Sequence, residues 1–389
     1  MPTLPEFDLS AAAQLSFKMA RYCQQLMKRE IDSSWKGFPS LPVADGLDLS
    51  LRMEGLQLVR VVDEAHSNPV RLDWKFDDYA PHLVQAQLSG ADPRLASLAA
   101  RFPAPKGEPY RTQPHCIIDH AGVIGWWYLP GCISESRQRT IYHSVQRLSH
   151  MPCTPIQTTS QGNWRDHPDR FGSGAVVDGL KAGVATFSVC WFQRGHAGAE
   201  DFPAPSATLK DPKNHQFIKD MTESFAVLGA VLAVTQPWLF DAGMEVLENL
   251  HTKCISVNNS KVLDGILGFW SNPFTAFSVI CNRETLIHRD LSSPQWCYDL
   301  VYTGGRYQNG RFESPTLGRR FLYDPGTVMV GLGNLIHHGV APVEGDRFCI
   351  VSYFRSSMLE RASHYRNAKA PTIHQLQNFY FQLLVDPPA

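Results

Sequence analysis

The chain has 389 residues, 43% of them hydrophobic and 19% charged, with a formal net charge of -1. That composition excludes a disordered or fibrous polypeptide and points to folded globular structure. The near-zero charge gives no global field that would draw in a polyanion, so any nucleic-acid contact has to be local.

The opening MPTLPEFDLS lacks a basic end followed by an apolar run, so no secretory leader is expected. Residues 11 to 30 contain no Gly or Pro and repeat apolar side chains at Leu15, Met19, Tyr22 and Leu26, which predicts a helix. A mixed region rich in turn signals runs to about residue 110, with one predicted helix from Arg94 to Phe102. From His115, CIIDHAGVIGWWYLPG reads as a strand pair broken at Gly122, followed by an amphipathic helix from Glu135 to Met151. His215 to Thr252 reads as two helices separated at Pro237. The longest apolar stretch, Phe225 to Val234, is about half of what a bilayer span needs, so no membrane segment is expected. The nine cysteines include no Cys-x-x-Cys pair and cannot all pair internally, which suits a reducing compartment.

After residue 270 the texture changes to short β-branched and aromatic segments between Gly, Pro and Asn turns: FTAFSVI, YDLVYT, RRFLY, TVMVGLG and RFCIVSYF. Strands this closely spaced predict a jelly roll or barrel, and the whole chain an α+β protein whose β core is wrapped by helices. The organisation expected is an N-terminal extension over 1–110 packed on a catalytic domain over 111–389, with its β core mainly within 270–360. On strand texture alone, a binding sandwich without chemistry fits as well.

Within this β region, His288-Arg289-Asp290 puts two metal-capable side chains on one face of an extended strand, and His338 follows 48 residues after Asp290. Two imidazoles and one carboxylate are the donor set of non-haem Fe(II) oxygenases, which keeps coordination positions open for a bidentate cosubstrate and dioxygen. Arg347, nine residues beyond His338, opens the next strand, where a guanidinium could grip the distal carboxylate of 2-oxoglutarate. An ion pair between Arg347 and Glu344 or Asp346 is the ordinary alternative. With 15 histidines, about one His-x-Asp triplet is expected by chance, and His167-Pro168-Asp169 is a rival in the polar loop GNWRDHPDRFGSG. Alternation along a strand would aim only one of the adjacent His337 and His338 at a metal.

The run NRETLIHRDLSSPQWCYDLVYTGGRY, followed by LGRRFLYDPGTVMVGLGNLIHHGVAPVEGDRFCIVSYFR, resembles the fungal branch of the TET/JBP oxygenases, which act on modified bases in DNA. The His-Arg-Asp triplet, the Tyr-Asp strand, the YDPGTV turn, the His-Gly-Val step and the Gly-x-Arg fall in order over roughly the last 110 residues. WWYLPG and CWFQRGH look like the upstream portion of the same proteins. The resemblance implies a double-stranded β-helix, or jelly roll, flanked by helices. It implies Fe(II) and 2-oxoglutarate as cofactors, with His288, Asp290 and His338 as iron ligands and Arg347 as the 2-oxoglutarate anchor. It also implies stepwise oxidation of 5-methylcytosine in DNA to hydroxymethyl, formyl and carboxyl forms, hence DNA demethylation in the nucleus by a monomer.

Two departures bear on the substrate. Relatives often carry Asn or Asp where this chain has Ser293, and a Tyr then a His where it has Tyr353 and Arg355. Tyr353 could stack on an extruded base and Arg355 could hydrogen-bond it or a phosphate, or the two could be a core tyrosine and a surface arginine. N6-methyladenine, a protein side chain and a small metabolite are alternative substrates. The segment GGRYQNGRFESPTLGRR holds Arg306, Arg311, Arg319 and Arg320 against one acid, Glu313, a local basic patch able to contact phosphates through Arg319 and Arg320.

Overall fold

In the computed structural model, the described residues are 6–32, 46–84, 93–105, 110–148, 164–172, 179–364 apart from 194, 197 and 199, and 369–383. Among the described residues thirteen strands form two sheets. The larger has the spatial order β1 (Val70–Arg71), β3 (His115–Ile118), β4 (Ile124–Leu129), β11 (Val328–Gly331), β8 (Asp299–Gln308), β13 (Glu344–Tyr353), β6 (Ala276–Cys281) and β5 (Gly183–Ser188). The smaller runs β2 (Tyr110–Arg111), β10 (Arg319–Leu322), β9 (Arg311–Ser314), β12 (His338–Val340) and β7 (Thr285–His288). Apart from β1 with β3 and β2 with β10, which are parallel, the pairings are antiparallel. This is the jelly-roll core of an α+β protein. The strands drawn from 270–360 form its centre, but both sheets also take strands from residues 70–188.

The two faces of the larger sheet differ because side chains alternate along each strand. Thr186 on β5, Ser278 and Ile280 on β6, Asp299 and Val301 on β8, and Arg347, Cys349, Val351 and Tyr353 on β13 line a cavity between the sheets. The opposite face carries Phe277, whose ring meets Phe225 of the helix Thr222–Thr235 at 4.6 Å between centroids. Helices therefore seal the outer face and leave the inner one for chemistry.

The predicted helix over 11–30 is Ala11–Ile31, started by the Ser10 side chain accepting from Ala13 N. The one over 94–102 is Pro93–Arg101. The strand pair broken at Gly122 is β3 and β4, with Gly122 at φ 85°, a left-handed turn that glycine adopts without steric cost. The helix expected to reach Met151 is Glu135–Gln146; Met151 lies outside the described residues. His215 to Thr252 contains three helices rather than two, His215–Asp220, Thr222–Thr235 and Pro237–His251, the last with proline in its first turn.

The region read as mixed contains the helix Leu49–Ser67, capped by Asp48. Its mid-helix Gly55 is explained by packing: a Cβ there would stand 3.1 Å from the Tyr22 ring and from Cys23 Sγ, so the glycine lets two helices approach closely. No disulfide joins the eight described cysteines to one another, and Cys153 lies outside the described residues. Among the described residues no helix is long and apolar enough to cross a membrane.

Candidate metal centre and its cavity

Antiparallel pairing brings the two histidines together. His338 on β12 stands directly opposite His288 on β7, and cross-strand partners lie within side-chain reach of each other. Their ring centroids are 4.6 Å apart. Asp290 follows the end of β7, where its N–H donates to Gly333 O at 2.9 Å and turns the carboxylate back between the rings. Its Oδ1 lies 3.3 Å from His288 Nε2 and its Oδ2 3.3 Å from His338 Nε2. All three ligand atoms lie within 4.8 Å of one another.

The same local device fixes both imidazoles. Each Nδ1 pairs with the carbonyl two residues back, His288 with Leu286 O at 2.7 Å and His338 with Ile336 O at 2.8 Å. With Nδ1 donating, the Nε2 lone pair faces Asp290, which is the tautomer a metal requires. Ring packing sets the remaining freedom. Phe312 stacks on His338 at 5.6 Å and Trp126 of β4 lies 5.5 Å away, while Trp164 meets His288 edge-on at 5.2 Å. Burial lowers the His288 pKa against the opposing pull of Asp290. Burial alone would raise that of Asp290, but the two imidazoles outweigh it and hold the carboxyl well below the usual range. Two imidazoles whose Nε2 atoms face one carboxylate, open on the cavity side, fit a divalent iron.

Residues between the ligands point elsewhere, as alternation demands. Arg289 is buried with its guanidinium donating to Asn334 O at 2.9 Å and to Val84 O. His337 turns away from His338 to Thr316, whose hydroxyl lies 3.3 Å from its Nδ1. Among the described residues the rival triplet joins no group of metal-capable side chains: His167 Nδ1 accepts from Asp169 N at 3.3 Å, closing a local turn over Pro168–Arg170.

Ile280, Val301, Val340 and Val351 are aliphatic parts of the lining of the cavity, about 490 Å³ in volume, which polar groups complete. Arg347 is 2% exposed; Nη2 donates to Arg283 O at 2.6 Å, while the buried Nη1 has no hydrogen-bond partner. Asp346 is instead engaged with Leu180 N and Asn282 Nδ2, so the expected alternative ion pair is not formed. The hydroxyl of Tyr323, also in the lining, is buried without a partner.

Sequence reasoning missed two further arginines here. Arg283 is buried and its pKa is pushed down to about 10, chiefly by burial, with Arg165 and Arg347 adding repulsion. Arg165 lies 3.8 Å from Asp290 Oδ1 and 4.8 Å over the Trp164 ring. Neither carries a local signal in the sequence: Arg283 lies in a turn between strands and Arg165 in a polar loop. Three guanidiniums around one hollow make it a site for an anion.

Ser293 and Asp299 line the cavity beside Asp290, and Tyr353 and Arg355 line it further along. The Arg355 guanidinium stands 5.1 Å from the Tyr353 ring and 5.8 Å from that of Trp191. Of the basic patch, Arg319 is buried and not on the surface. It is 3% exposed and donates to Pro105 O and Gly318 O, because alternation along β10 turns it inward and its neighbour Arg320 outward. Arg320 is exposed and pairs with Glu313 on β9 at 3.3 Å.

Residues 188–356 match the family model Tet_JBP, the oxygenase domain of the 2OGFeDO superfamily. Among solved structures, the chain is similar to NgTET1 in complex with 5mC DNA, at 14% identity over 65% of this chain and 81% of that chain, with a TM-score of 0.41. It is also similar to an oxidoreductase of the 2OG-Fe(II) oxygenase family from Burkholderia pseudomallei, at 18% identity over 32% of this chain and 62% of that one, TM-score 0.20. A third is a full-length protein of Neurospora crassa in complex with alpha-KG and thymine, at 12% identity, 66% and 87% coverage and a TM-score of 0.28. No curated protein matches the chain.

Proposed function

We propose that the chain, whose residues 188–356 match the oxygenase domain of the 2OGFeDO superfamily, is an Fe(II)- and 2-oxoglutarate-dependent dioxygenase that oxidises the methyl group of 5-methylcytosine in DNA to hydroxymethyl, formyl and carboxyl forms. In this reading His288, Asp290 and His338 hold the iron and Arg347 anchors 2-oxoglutarate. One observation carries it: a single cavity joins the three ligand side chains, an unsatisfied guanidinium and a wall of aromatic and cationic side chains. Its volume of about 490 Å³ suits a cosubstrate and a planar ring together.

Ferrous iron and 2-oxoglutarate, when bound, supply with dioxygen the hydroxylation of a C–H bond and release succinate and carbon dioxide. The chain supplies placement. Arg347 Nη1 is a buried donor without an acceptor, so a carboxylate arriving there satisfies a group that is otherwise costly to bury. Arg283 and Arg165 add positive charge that favours the dianion over a neutral acid. Trp164 and Trp126, packed on the two ligand imidazoles, shield them from water and hold their ring planes.

At the substrate end, the Tyr353 ring offers a stacking face, with Arg355 and Ser293 able to hydrogen-bond a base edge. Both ligand histidines are buried, so a base stacked in a duplex cannot reach them and must swing out, at a cost of a few kcal/mol that stacking in the cavity offsets. Arg320 and Arg311, exposed on the outer face of the smaller sheet, are the phosphate contacts we propose, and a nuclear location of the monomer is part of the same proposal.

The test is turnover on duplexes carrying 5-methylcytosine or N6-methyladenine, with Fe(II) and 2-oxoglutarate, followed by mass spectrometry of the released nucleosides. Oxidised methylcytosine is expected from the native chain and none from His288→Ala. Oxidation of the adenine duplex alone would reassign the base, and oxidation of neither would move the substrate to a protein or small molecule.

A further inference from the structure

One carboxyl in the cavity has no part in the metal cluster or the sheet ladder. Asp299 opens β8 opposite Gly331, is 4% exposed, and has both side-chain oxygens buried with no partner at hydrogen-bond geometry, the Ser293 hydroxyl being the polar group close beside it. Alternation along β8 turns Asp299 and Val301 into the cavity and leaves Leu300 and Tyr302 on the opposite face. Only a glycine separates it from the metal ligand: a Cβ added at Gly333 would stand 2.5 Å from Asp299 Oδ2 and 3.2 Å from Asp290 Oδ2. Asp299 stands outside the group of three whose ligand atoms converge.

A buried polar group without a partner is unfavourable by itself, and its neighbours on this face, Val301, Ile280 and Val351, show that apolar side chains fit there. The fold has no use for a carboxyl at this place, whereas a ligand in the cavity does. We infer that Asp299 is a specificity residue that accepts a hydrogen bond from the exocyclic amino group of the substrate ring while the ring's methyl group faces the metal centre.

This rests on the proposed base substrate and refines it to amino-bearing rings. A carboxyl accepts from an N–H whether or not it carries a proton, so an amino group satisfies it in either state. A ring carbonyl at the same position satisfies it only in one. Ser293 beside it offers a hydroxyl, and Arg355, whose charge reaches Asp299, stands on the same lining to meet a carbonyl elsewhere on the ring.

The experiment measures binding, by calorimetry, of 5-methyl-2′-deoxycytidine and of thymidine to the full chain loaded with Co(II) and 2-oxoglutarate. The native chain is expected to prefer the amino-bearing nucleoside by about tenfold to a hundredfold, the effect of one buried hydrogen bond to a carboxyl. Asp299→Leu should level the two affinities while the Co(II) absorption of the loaded chain stays unchanged. Asp299→Asn, nearly isosteric, guards against a folding defect and should retain part of the preference. Equal binding of the two nucleosides by the native chain, binding of neither, a preference surviving in the leucine variant, or loss of the Co(II) signature in both variants would each overturn the assignment. Failure of the DNA reading is seen separately, as the absence of oxidised nucleosides from any duplex, and leaves the nucleoside preference to be judged on its own.

Discussion

Two His-x-Asp triplets in this chain share their letters and spacing and do different things. His288-Arg289-Asp290 ends a strand whose neighbour presents His338 directly across the ladder, so three ligand atoms converge. His167-Pro168-Asp169 has no strand partner. Its proline starts a short turn, the imidazole accepts from the backbone inside that turn, and the Asp169 side chain is 83% exposed. The contrast teaches that residue spacing nominates a site and a paired strand makes one. The second triplet's loop still serves the first, because its Trp164 packs on His288 and its Arg165 approaches Asp290.

The contrast breaks most directly by mutation of the carboxylates. Asp290→Ala should lower turnover on the order of 1,000-fold and abolish tight Co(II) binding, whereas Asp169→Ala should change either by less than about twofold. Equal losses from the two would mean that the sites had been confused. Next in size, Arg347→Ala should raise the KM for 2-oxoglutarate by about 100-fold and leave Co(II) affinity nearly intact; Arg347→Lys should recover only part, lacking the planar fork. A titration of 2-oxoglutarate against succinate formation reads both.

A smaller effect sharpens the role of the loop. Arg165→Ala should weaken Co(II) affinity by about tenfold, as expected when a group orienting a ligand carboxylate is removed, and an unchanged affinity would limit the loop to a covering role. The smallest effect concerns the outer surface. Arg311→Ala with Arg320→Ala should make the salt dependence of DNA binding shallower by about 1 to 2 in slope, while Arg319→Ala should leave the slope unaltered and lower the melting temperature instead.

Much of this was legible in the sequence because it rests on period and local chemistry. Alternation in YDLVYT and RFCIVSYF gave β8 and β13, and the uninterrupted run after Ala11 gave the first helix. The metal donor set was visible for the same reason, since His-x-Asp on a strand has a defined direction. What escaped depended on contacts distant in the chain. The helix Leu49–Ser67 carries a glycine whose purpose is visible only when Tyr22 packs against it. Arg319 and Arg320 read alike as letters, and only the register of β10 against β9 separates a buried donor from an exposed one. Arg283 joins the site through a fold of the chain that brings three guanidiniums together, which no local pattern encodes.

Trp126 gives β4 a consequence for how the protein can be cut. Its ring leans on His338 and occupies the space left by Gly331, and β4 runs along the full length of β11. A shortened polypeptide beginning at residue 188, where the recognisable oxygenase segment starts, would leave β11 with a bare, apolar margin. Such a margin invites edge-to-edge association between molecules. Expressed alone, that segment should therefore precipitate, and the His338 imidazole would lose its backing.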